Sequence, residues 1–520
     1  YTFGMSFSRV YSLQTHGLKG IVVSVETDLS RGLYSFSVVG LPDKAVEESR
    51  DRMASALKNS GLESPKSKNQ KVIVSLSPAD LKKEGAYFDL AMALGYLLSD
   101  ELISFDPEKK AFIGELSLNG ELRTVKGVLP LVEEAKRKGF EEIYVPAGNT
   151  KEAGLVKGIS IFGVKNLSDI VRHLNTKTKE GEELFRIEPI PETQIERKER
   201  TFDIDWSDIK GQASAKRGLE IAAAGGHNIA LSGPPGTGKT MLAKAFASVL
   251  PELTQQEILE ITGIHSVAGA LHDELITHPP FRSPHHTSSY VSMIGGGSFP
   301  RPGEVTLAHK GVLFLDEFPE FEKRVIESLR QPLEDRIVTV SRARGTIAFP
   351  SHFILVCAMN PCPCGYYGSD KKPCICTGSD LSRYSRKVSG PIMDRIDMWT
   401  TVGALEYETL AEVGPSGDSS QTVRERIKQA RDIQKKRFKD SPKQITTNSQ
   451  MNVKDIVKYC PLKKEVTEIL NKSAEKLNLS ARAYHRVIKL ARTIADLDKS
   501  EEMELTHILE ALQYRPKNSE

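Results

Sequence analysis

Eight consecutive residues in the middle of the chain have the types and the spacing needed to bind a phosphate group. In the set Gly233, Pro234, Pro235, Gly236, Thr237, Gly238, Lys239 and Thr240, two glycines enclose four residues, and lysine and threonine follow the second glycine. Glycine readily adopts the backbone angles that let successive N–H groups surround an anion. The lysine can then reach the β and γ phosphates of a nucleoside triphosphate, and the threonine hydroxyl can bind Mg²⁺.

The residues on either side of this loop predict the strand and the helix between which such loops occur. Residues 228–231 form an apolar run, and the residues from Met241 to position 249 have helical spacing. The N-terminus of a helix adds a favourable dipole for an anion. We therefore predict an ATP site with Mg²⁺ at residues 233–241. A glycine-rich turn without a ligand is the alternative.

Two further apolar runs end in polar residues. Residues 311–315 precede Asp316 and Glu317, and residues 353–359 precede Asn360. Because the carboxyl ends of neighbouring parallel strands meet at one edge of a sheet, we expect these side chains beside the phosphate loop. Asp316 would then hold Mg²⁺ through water, Glu317 would act as general base, and Asn360 would orient the attacking water. The alternatives are a core strand that ends in surface acids and an asparagine in an ordinary turn.

The segment that precedes the phosphate loop, residues 206–212, resembles the start of AAA+ ATPase modules. In those modules an apolar residue of this segment packs near the adenine ring. The resemblance therefore implies that Ile209 and Gly211 contact ATP.

Residues 390–397 resemble the arginine-finger segment of the magnesium-chelatase and MCM branch of AAA+ proteins. The resemblance implies that Arg395 enters the site of a neighbouring subunit and stabilises charge in the transition state, which requires a ring. A surface ion pair with Asp397 is the alternative. On the long helix predicted near the C-terminus, Arg482 is the first choice for a second sensor arginine and Arg486 is the second choice.

The cysteines indicate a metal rather than a disulfide framework. The chain has six in 520 residues, and four of them, Cys362, Cys364, Cys374 and Cys376, lie within 15 positions. Four thiols so close together in a reducing compartment favour tetrahedral Zn²⁺. Their C-x-C spacing is tighter than that of most zinc sites, so buried reduced thiols and redox chemistry stay open as alternatives.

Length and composition are those of a soluble protein with several domains. The chain of 520 residues exceeds one hydrophobic core, and its apolar and charged fractions are 39% and 27%. No apolar run approaches the roughly 18 residues that span a membrane, and the N-terminus shows no signal-peptide pattern. We therefore predict a cytoplasmic protein without a membrane contact. A net charge of +3 is too small to indicate nucleic acid by itself. We expect Met5 to be the natural start.

The N-terminal third alternates predicted strands and helices. Strands are predicted at 20–26, 34–39, 71–76 and 111–118, and helices at 44–60, 88–98 and 129–138. This order resembles the Lon-protease-like domain of the ribosomal-S5 fold, a family that uses a Ser–Lys dyad. Residues 83–89 and 127–132 hold no serine or lysine at the positions that the resemblance gives to the dyad. Since acyl transfer needs both, we predict a non-proteolytic domain for packing, assembly, or contact with DNA or a partner.

The fold class predicted for the whole chain is α/β and multidomain. The predicted domains are a Lon-protease-like S5-fold domain without its dyad at 5–175, a linker at 176–204, an AAA+ P-loop NTPase core with insertions and the cysteine cluster at 205–405, and a helical C-terminal lid at 406–515.

Residues 281–289, 294–297 and 301–309 closely resemble the magnesium-chelatase-like ATPases of the ComM or YifB family, and the resemblance spans nearly the whole chain. It implies an ATP-hydrolysing homo-hexameric motor on single-stranded and branched DNA, a helicase or branch-migration enzyme of natural transformation. The alternatives are a magnesium-chelatase motor subunit and an ATP-dependent remodelling scaffold. The missing dyad disfavours an ATP-dependent protease.

Three places are candidates for contact with DNA. The first is a Ser/Thr/Gly-rich loop with Arg282, His285 and His286, whose histidines could instead bind a metal. The second is a predicted hairpin at 337–349 with Arg342 and Arg344 at its tip. The third is a basic stripe on the helix predicted at 421–438, formed by Arg424, Lys428, Arg431 and Lys435. For the second and third, the alternative is an exposed surface with solvated charges.

Overall fold

The computed structural model describes residues 7–176, 185–195, 202–271, 275–297, 300–342, 345–369, 372–406, 408, 414, 417–442 and 445–516. The chain divides into two compact units. Unit 1 comprises residues 1–197 and 255–277, and unit 2 comprises residues 198–254 and 278–520. The predicted ATPase segment 205–405 thus contributes residues 255–277 to unit 1. The domain boundaries themselves stay a prediction.

The described strands and helices alternate through both units. In chain order the strands are β1 Phe7–His16, β2 Lys19–Arg31, β3 Ser35–Val39, β4 Gln70–Ser77, β5 Lys110–Phe112, β6 Glu115–Leu116, β7 Leu122–Arg123, β8 Glu142–Pro146, β9 Ser160–Val164, β10 Ile229–Ser232, β11 Phe281–Arg282, β12 Gly295–Gly296, β13 Arg301–Pro302, β14 Val312–Leu315, β15 Ile337–Arg342, β16 Gly345–Pro350, β17 Ile354–Met359 and β18 Met398–Thr401.

The helices are α1 Lys44–Asn59, α2 Asp89–Ser99, α3 Val128–Arg137, α4 Thr150–Ala153, α5 Leu167–Leu174, α6 Ala213–Gly225, α7 Lys239–Val249, α8 Gln255–Ala268, α9 Tyr290–Ile294, α10 Glu304–Leu307, α11 Lys323–Ser328, α12 Arg330–Asp335, α13 Gly378–Ser385, α14 Gly390–Met393, α15 Ser420–Arg437, α16 Val453–Tyr459, α17 Lys464–Lys476, α18 Ala481–Leu497 and α19 Leu505–Gln513. None of the helices in these described ranges is long and apolar enough to cross a membrane.

Unit 1 is built on a mixed sheet in the order β3-β4-β2-β1-β5-β8-β9. β1, β2 and β4 pair antiparallel, and the pairs from β1 to β9 through β5 and β8 are parallel. The predicted helices are confirmed, and Asp43 caps α1 by accepting the N–H of Val46 at 2.9 Å. The single strand predicted at 111–118 is wrong, because the chain turns between β5 and β6. β1 was not predicted.

The positions that the Lon resemblance gives to a dyad are occupied by structural groups. Lys83 is buried, and its Nζ donates to the Leu81 carbonyl at 2.7 Å. Asp89 at the start of α2 is buried against Arg52, with Nε to Oδ2 at 2.7 Å. α3 occupies the segment expected to supply the lysine, and α8 joins unit 1 beside it, where the Ser266 hydroxyl accepts the Gly127 N–H at 2.8 Å.

Unit 2 is built on a parallel sheet in the order β11-β14-β17-β10-β18. Its central strands are buried along their length, as expected when helices cover both faces. α6 and α7 pack on this sheet, and α15 and α18 belong to the same hydrophobic core. All these strands point the same way, so their carboxyl ends form one edge.

Candidate active site

The phosphate loop lies at this carboxyl edge, between β10 and α7. Gly236 and Gly238 have positive φ angles of 76° and 86°, which glycine adopts without strain. Gly233 is needed for a different reason, because a Cβ there would lie 2.1 Å from the Val402 carbonyl oxygen. The loop therefore has the open backbone that phosphate binding requires. Met241, in the first turn of α7, is exposed.

Lys239 begins α7 and turns its ammonium group back into the loop. Its Nζ donates to the carbonyls of Gly233 and Pro234 at 2.7 and 2.8 Å, and to Asn360 Oδ1 at 3.2 Å. Burial lowers the pKa of Lys239, against the opposing charge of Asp316. The ammonium group is thus held inside the cradle by weak acceptors that phosphate oxygens can replace.

Thr240 and Asp316 meet where α7 faces the end of β14. The Thr240 hydroxyl donates to Asp316 Oδ2 at 2.7 Å. A hydroxyl and a carboxylate so close to a phosphate loop form a set of oxygen donors that suits Mg²⁺. These residues therefore fit the ion that was predicted for them.

Glu317 follows Asp316 in a left-handed backbone conformation with φ of 51°. Its Oε2 lies 3.0 Å from Nδ1 of His286, and the two side chains are 58% and 31% exposed. The sequence reasoning assigned His286 to DNA and missed this contact. The signal that could have revealed it is topological, since β11 pairs parallel with β14 and the loop after β11 must emerge at the same edge.

Asn360 ends β17 and completes the group at the carboxyl edge. Besides its contact with Lys239, its backbone carbonyl accepts the hydroxyl of Tyr384 on α13 at 3.1 Å. Burial raises the pKa of Tyr384 to about 12, so the hydroxyl stays protonated and donates. Tyr384 is a second residue that sequence reasoning missed, because nothing in its surroundings marks it.

The segment predicted to contact adenine lies near the loop through its last residue, Gln212, for which no role is predicted from the sequence. Ile209 is buried in the core of unit 2, and Gly211 has a positive φ of 57°. Gln212 donates from Nε2 to the carbonyls of Gly403 at 2.7 Å and Thr237 at 3.4 Å. A polar side chain of this segment thus connects it to the phosphate loop.

Arg395 and Arg482, the two arginines predicted to act on the phosphates, meet on a single carboxylate. Both form ion pairs with Glu334 of α12, Arg395 through Oε2 and Arg482 through Oε1 at 2.5 Å. Arg395 also donates to the Pro391 carbonyl at 2.7 Å. Within the described ranges, neither guanidinium bonds to the side chains around the phosphate loop of its own chain.

The alternative surface pair between Arg395 and Asp397 is wrong. Asp397 is turned inward, where it accepts the Asn228 N–H at 3.0 Å and lies 3.6 Å from both His227 Nδ1 and Arg486 Nε. Burial opposes its charge, but the hydrogen bond and charge of His227 and the charge of Arg486 lower the pKa of Asp397 to about 2. Arg486, the second choice for a sensor, is therefore held in the interior.

The three DNA candidates of the Ser/Thr/Gly-rich loop have different polar partners, although the rings of His285 and His286 lie 4.2 Å apart. Arg282 is held by Glu304, with Nε and Nη2 donating to its two oxygens at 2.6 and 2.7 Å. His286 faces Glu317, and only His285 of the three is exposed, with Nδ1 at 2.9 Å from the Thr287 hydroxyl.

The predicted hairpin is confirmed as β15 and β16, with Arg342 paired to Gly345. Only the backbone of Arg342 is described, and Arg344 lies outside the described residues. The alternative of a fully solvated basic stripe on α15 is wrong for two of its members. Arg424 and Arg431 donate to the carbonyls of Ser248 and Ala223, at 2.7 and 2.6 Å from Nη2, because this face of the helix packs inward.

The four predicted metal ligands are brought together. The sulfur atoms of Cys362, Cys364, Cys374 and Cys376 all lie within 4.8 Å of one another, directly after Asn360 in the chain. Cys357 and Cys460 are buried elsewhere.

Three family profiles match the chain. Residues 25–149 match the subunit ChlI of Mg-chelatase, residues 205–410 match the magnesium chelatase subunit ChlI, and residues 417–515 match the ChlI C-terminal region. Together with the phosphate loop and the strand-end residues, these matches define a magnesium-chelatase-like AAA+ protein, for which ATP and Mg²⁺ are the expected ligands.

Sequence relatives define the family more closely. Competence protein ComM of Haemophilus influenzae is 41% identical over 517 residues, which are 98% of each chain. The uncharacterized protein YifB of Escherichia coli is 40% identical over 513 residues, 98% of this chain and 97% of the relative. DNA repair protein RadA of Streptococcus pneumoniae is 31% identical over only 96 residues, 18% of this chain and 23% of that protein. The chain belongs to the ComM/YifB family.

Proposed function

We propose that this protein is an ATP-hydrolysing motor that moves along DNA. The observation that carries the ATP-hydrolysing part of the proposal is the convergence of Lys239, Thr240, Asp316, Glu317 and Asn360 at one edge of the parallel sheet. The name of the Haemophilus relative, a competence protein, supports a role in natural transformation, for which we propose branch migration of recombination intermediates. The name of the shorter relative, a DNA repair protein, supports DNA as the substrate.

Each residue of this group has a distinct role in the proposed hydrolysis. The Lys239 ammonium exchanges its carbonyl acceptors for β and γ phosphate oxygens, while Thr240 and Asp316 hold Mg²⁺. The bound ion neutralises charge on the phosphates. Glu317 accepts a proton from the attacking water, and Asn360 orients that water. Ile209, Gly211, Met241 and the remaining loop residues complete the proposed ATP contacts.

A homo-hexameric ring is part of the proposal. In the ring, Arg395 leaves Glu334 and enters the neighbour's site, and Arg482 acts as the second sensor. The proposed DNA contacts are Arg282, His285, His286, Arg342 and Arg344, with single-stranded and branched DNA as partners. Arg282 and His286 must exchange their carboxylate partners to reach DNA, so exposed His285 is the stronger choice within its loop.

The remaining assignments follow from the same family. We place a Lon-like S5-fold domain without a dyad at 5–175, a linker at 176–204, the AAA+ core at 205–405 and a helical lid at 406–515. The proposed location is cytoplasmic, and the proposed cofactors are ATP, Mg²⁺ and, at the four clustered thiols, Zn²⁺.

The deciding experiment measures ATP turnover without DNA, with single-stranded DNA and with a branched junction, while strand displacement is followed in the same samples. We expect DNA to stimulate turnover and the junction to be unwound. The Lys239→Ala variant should show neither DNA-stimulated ATP turnover nor unwinding of the junction. Lys244→Ala changes an exposed lysine of the same helix and should behave as the parent protein does.

An ATP turnover rate that is the same with and without DNA would contradict the proposal. It would favour an ATP-dependent remodelling scaffold or a magnesium-chelatase-like motor subunit, the protein for which the matching family profiles are named.

A further inference from the structure

Four thiols between Asn360 and α13 lie close together. The Sγ atoms of Cys362 and Cys364 are 3.3 Å apart, those of Cys362 and Cys374 are 3.8 Å apart, and those of Cys364 and Cys374 are 3.5 Å apart. Cys376 completes the set, in which all ligand atoms lie within 4.8 Å of one another. Four sulfur atoms at ~2.3 Å from one zinc ion lie about 3.8 Å apart. The thiols are therefore spaced for one shared ion, and all four are free.

The chemistry of this donor set suits a closed zinc site. Four thiolates leave no position for water or substrate, which is typical of structural rather than catalytic zinc. Binding forms four Zn–S bonds and releases the four S–H protons, without oxidation or reduction. The Tyr367 N–H also donates to Cys362 Sγ at 3.3 Å, a hydrogen bond of the kind that stabilises a metal-bound thiolate.

The turn that carries the first two thiols and ends at Gly365 also contacts the phosphate loop. Gly365 donates its N–H to the Cys362 carbonyl at 3.0 Å and has a positive φ of 85°. A Cβ on Gly365 would lie 2.6 Å from Cδ of Pro235, a residue of the phosphate loop. The turn that carries Cys362 and Cys364 therefore packs directly on the segment that holds the phosphates.

Both ends of the thiol segment lead to Asn360. Cys362 follows Asn360 by two positions and is completely buried. α13 begins two positions after Cys376, and its Tyr384 donates to the Asn360 carbonyl at 3.1 Å. An ion bound by the four thiols would therefore restrain Asn360 through the chain that follows it and through the Tyr384 hydrogen bond. The Oδ1 of Asn360 is 3.2 Å from Lys239 Nζ.

We propose that Cys362, Cys364, Cys374 and Cys376 bind one Zn²⁺ that holds Asn360 and the phosphate loop in the geometry needed for ATP hydrolysis. The zinc clamp, residues 362–369 and 372–376, is thus a positioning element of the active site. The second half of this inference rests on the proposed ATPase activity. Without the ion, the clamp segment gains conformational freedom, and misplacement of a water-orienting residue by about 1 Å can slow a reaction by roughly 100-fold.

The first test is metal content. The full-length protein, purified without added metal or chelator, should contain one zinc per chain by elemental mass spectrometry, and the double variant Cys364→Ser/Cys374→Ser should contain none. Zinc at well under one equivalent, or iron with the visible absorption of an iron–sulfur cluster, would overturn the zinc assignment.

The second test separates the clamp from general damage. Gly365→Ala should retain zinc yet lower ATP turnover by about 10-fold or more, because the added methyl group displaces Pro235. Gly368→Ala is the matched control, since this glycine also has a positive φ, of 70°, but a Cβ there would meet nothing within 4 Å. It should retain both zinc and turnover. Equal turnover in the Gly365 and Gly368 variants would overturn the contact with the phosphate loop.

The two proposals fail differently. A wild-type protein that binds one zinc but does not hydrolyse ATP would contradict the proposed function and leave the metal site standing. A wild-type ATPase whose Cys364→Ser/Cys374→Ser variant has lost zinc, remains folded by circular dichroism and keeps full turnover would overturn the clamp. We expect that variant to bind a fluorescent nucleotide while hydrolysing ATP at least about 10-fold more slowly.

Discussion

The side chains at the carboxyl edge of the sheet and the arginines expected to act beside them are held in different ways. Lys239, Thr240, Asp316 and Asn360 contact one another or the loop backbone, so their polar atoms already point at the place where phosphates would bind. Arg395 and Arg482 are instead paired with one glutamate of the same chain, Glu334.

This difference separates residues that the chain positions alone from residues that need a partner. Strand ends are fixed by the sheet, whatever else is present. A guanidinium on Glu334 can exchange that carboxylate for a phosphate only if a nucleotide, or a neighbouring chain that carries one, approaches it. Substitutions of the arginines therefore test whether the chains assemble, and substitutions of the strand-end group test whether one chain binds ATP.

The largest expected effect comes from Arg395→Ala. If Arg395 stabilises the transition state in a neighbouring subunit, its loss should lower ATP turnover by about 1,000-fold while nucleotide affinity changes little. Glu334→Gln is the matched comparison, because it removes the carboxylate that Arg395 and Arg482 share. A purely structural pair would make the two variants equally defective, and the proposed role requires Glu334→Gln to keep most of the turnover.

Mixing two inactive variants sharpens the same comparison. A site between subunits takes Lys239 from one chain and Arg395 from its neighbour, so rings that combine Lys239→Ala and Arg395→Ala chains should contain some complete sites. We expect turnover to reappear in the mixture, measured after the chains have exchanged. If the mixture is as inactive as each variant alone, Lys239 and Arg395 act in the same site of a single chain.

Lys239→Ala tests the strand-end group itself. Loss of one preorganised donor to the phosphates should slow hydrolysis by about 100-fold or more and should weaken nucleotide binding, unlike Arg395→Ala. Turnover and the affinity for a fluorescent nucleotide are measured on the same preparation, with Lys244→Ala as the control. Normal nucleotide affinity would show that the ammonium group does not contact the phosphates in the bound state.

A smaller effect is expected from His286→Ala. Glu317 Oε2 lies 3.0 Å from the His286 ring, so the carboxylate proposed as general base is engaged before any nucleotide binds. Removal of the ring should raise DNA-independent turnover without changing nucleotide affinity. His285→Ala is the control, because the neighbouring ring bonds to Thr287 and not to Glu317. A fall in turnover would instead indicate that His286 positions Glu317 for hydrolysis.

The sequence predicts which side chains meet at the carboxyl edge of the sheet, but it does not predict the ion pairs of Arg395 and Arg482 with Glu334. Apolar runs that end in Asp316, Glu317 and Asn360 predict a parallel sheet. Because parallel strands point the same way, these runs also predict that their polar ends meet at one edge of the sheet. No periodicity marks Glu334, one of 68 acidic residues, as the partner of two arginines far away in the chain. Pairings of this kind depend on how α12, α14 and α18 pack, which local spacing does not encode.

The same limit applies to the insertion after α7. Residues 255–268 have an ordinary helical pattern, yet α8 packs on α3 in unit 1. Local spacing does not indicate the surface that this helix covers. The thiol cluster is the opposite case, because ligand types within one short segment are close in space whatever the surrounding fold.

The smallest expected effect concerns a buried histidine away from both groups. Burial, and then the charges of Arg336 and Lys310, hold the pKa of His352 well below its usual value, and its ring contacts Gln450 Nε2 at 3.0 Å. Below about pH 6.5 the unfolded chain binds a proton at this ring that the folded chain excludes. Stability is therefore complete above that pH and falls as the solution is acidified, by up to about 1.4 kcal/mol per pH unit for one proton. His352→Gln should make the melting temperature less dependent on pH between 7.5 and 5.5 than it is in the parent protein. Equal slopes in the variant and the parent would show that His352 is protonated in the folded protein.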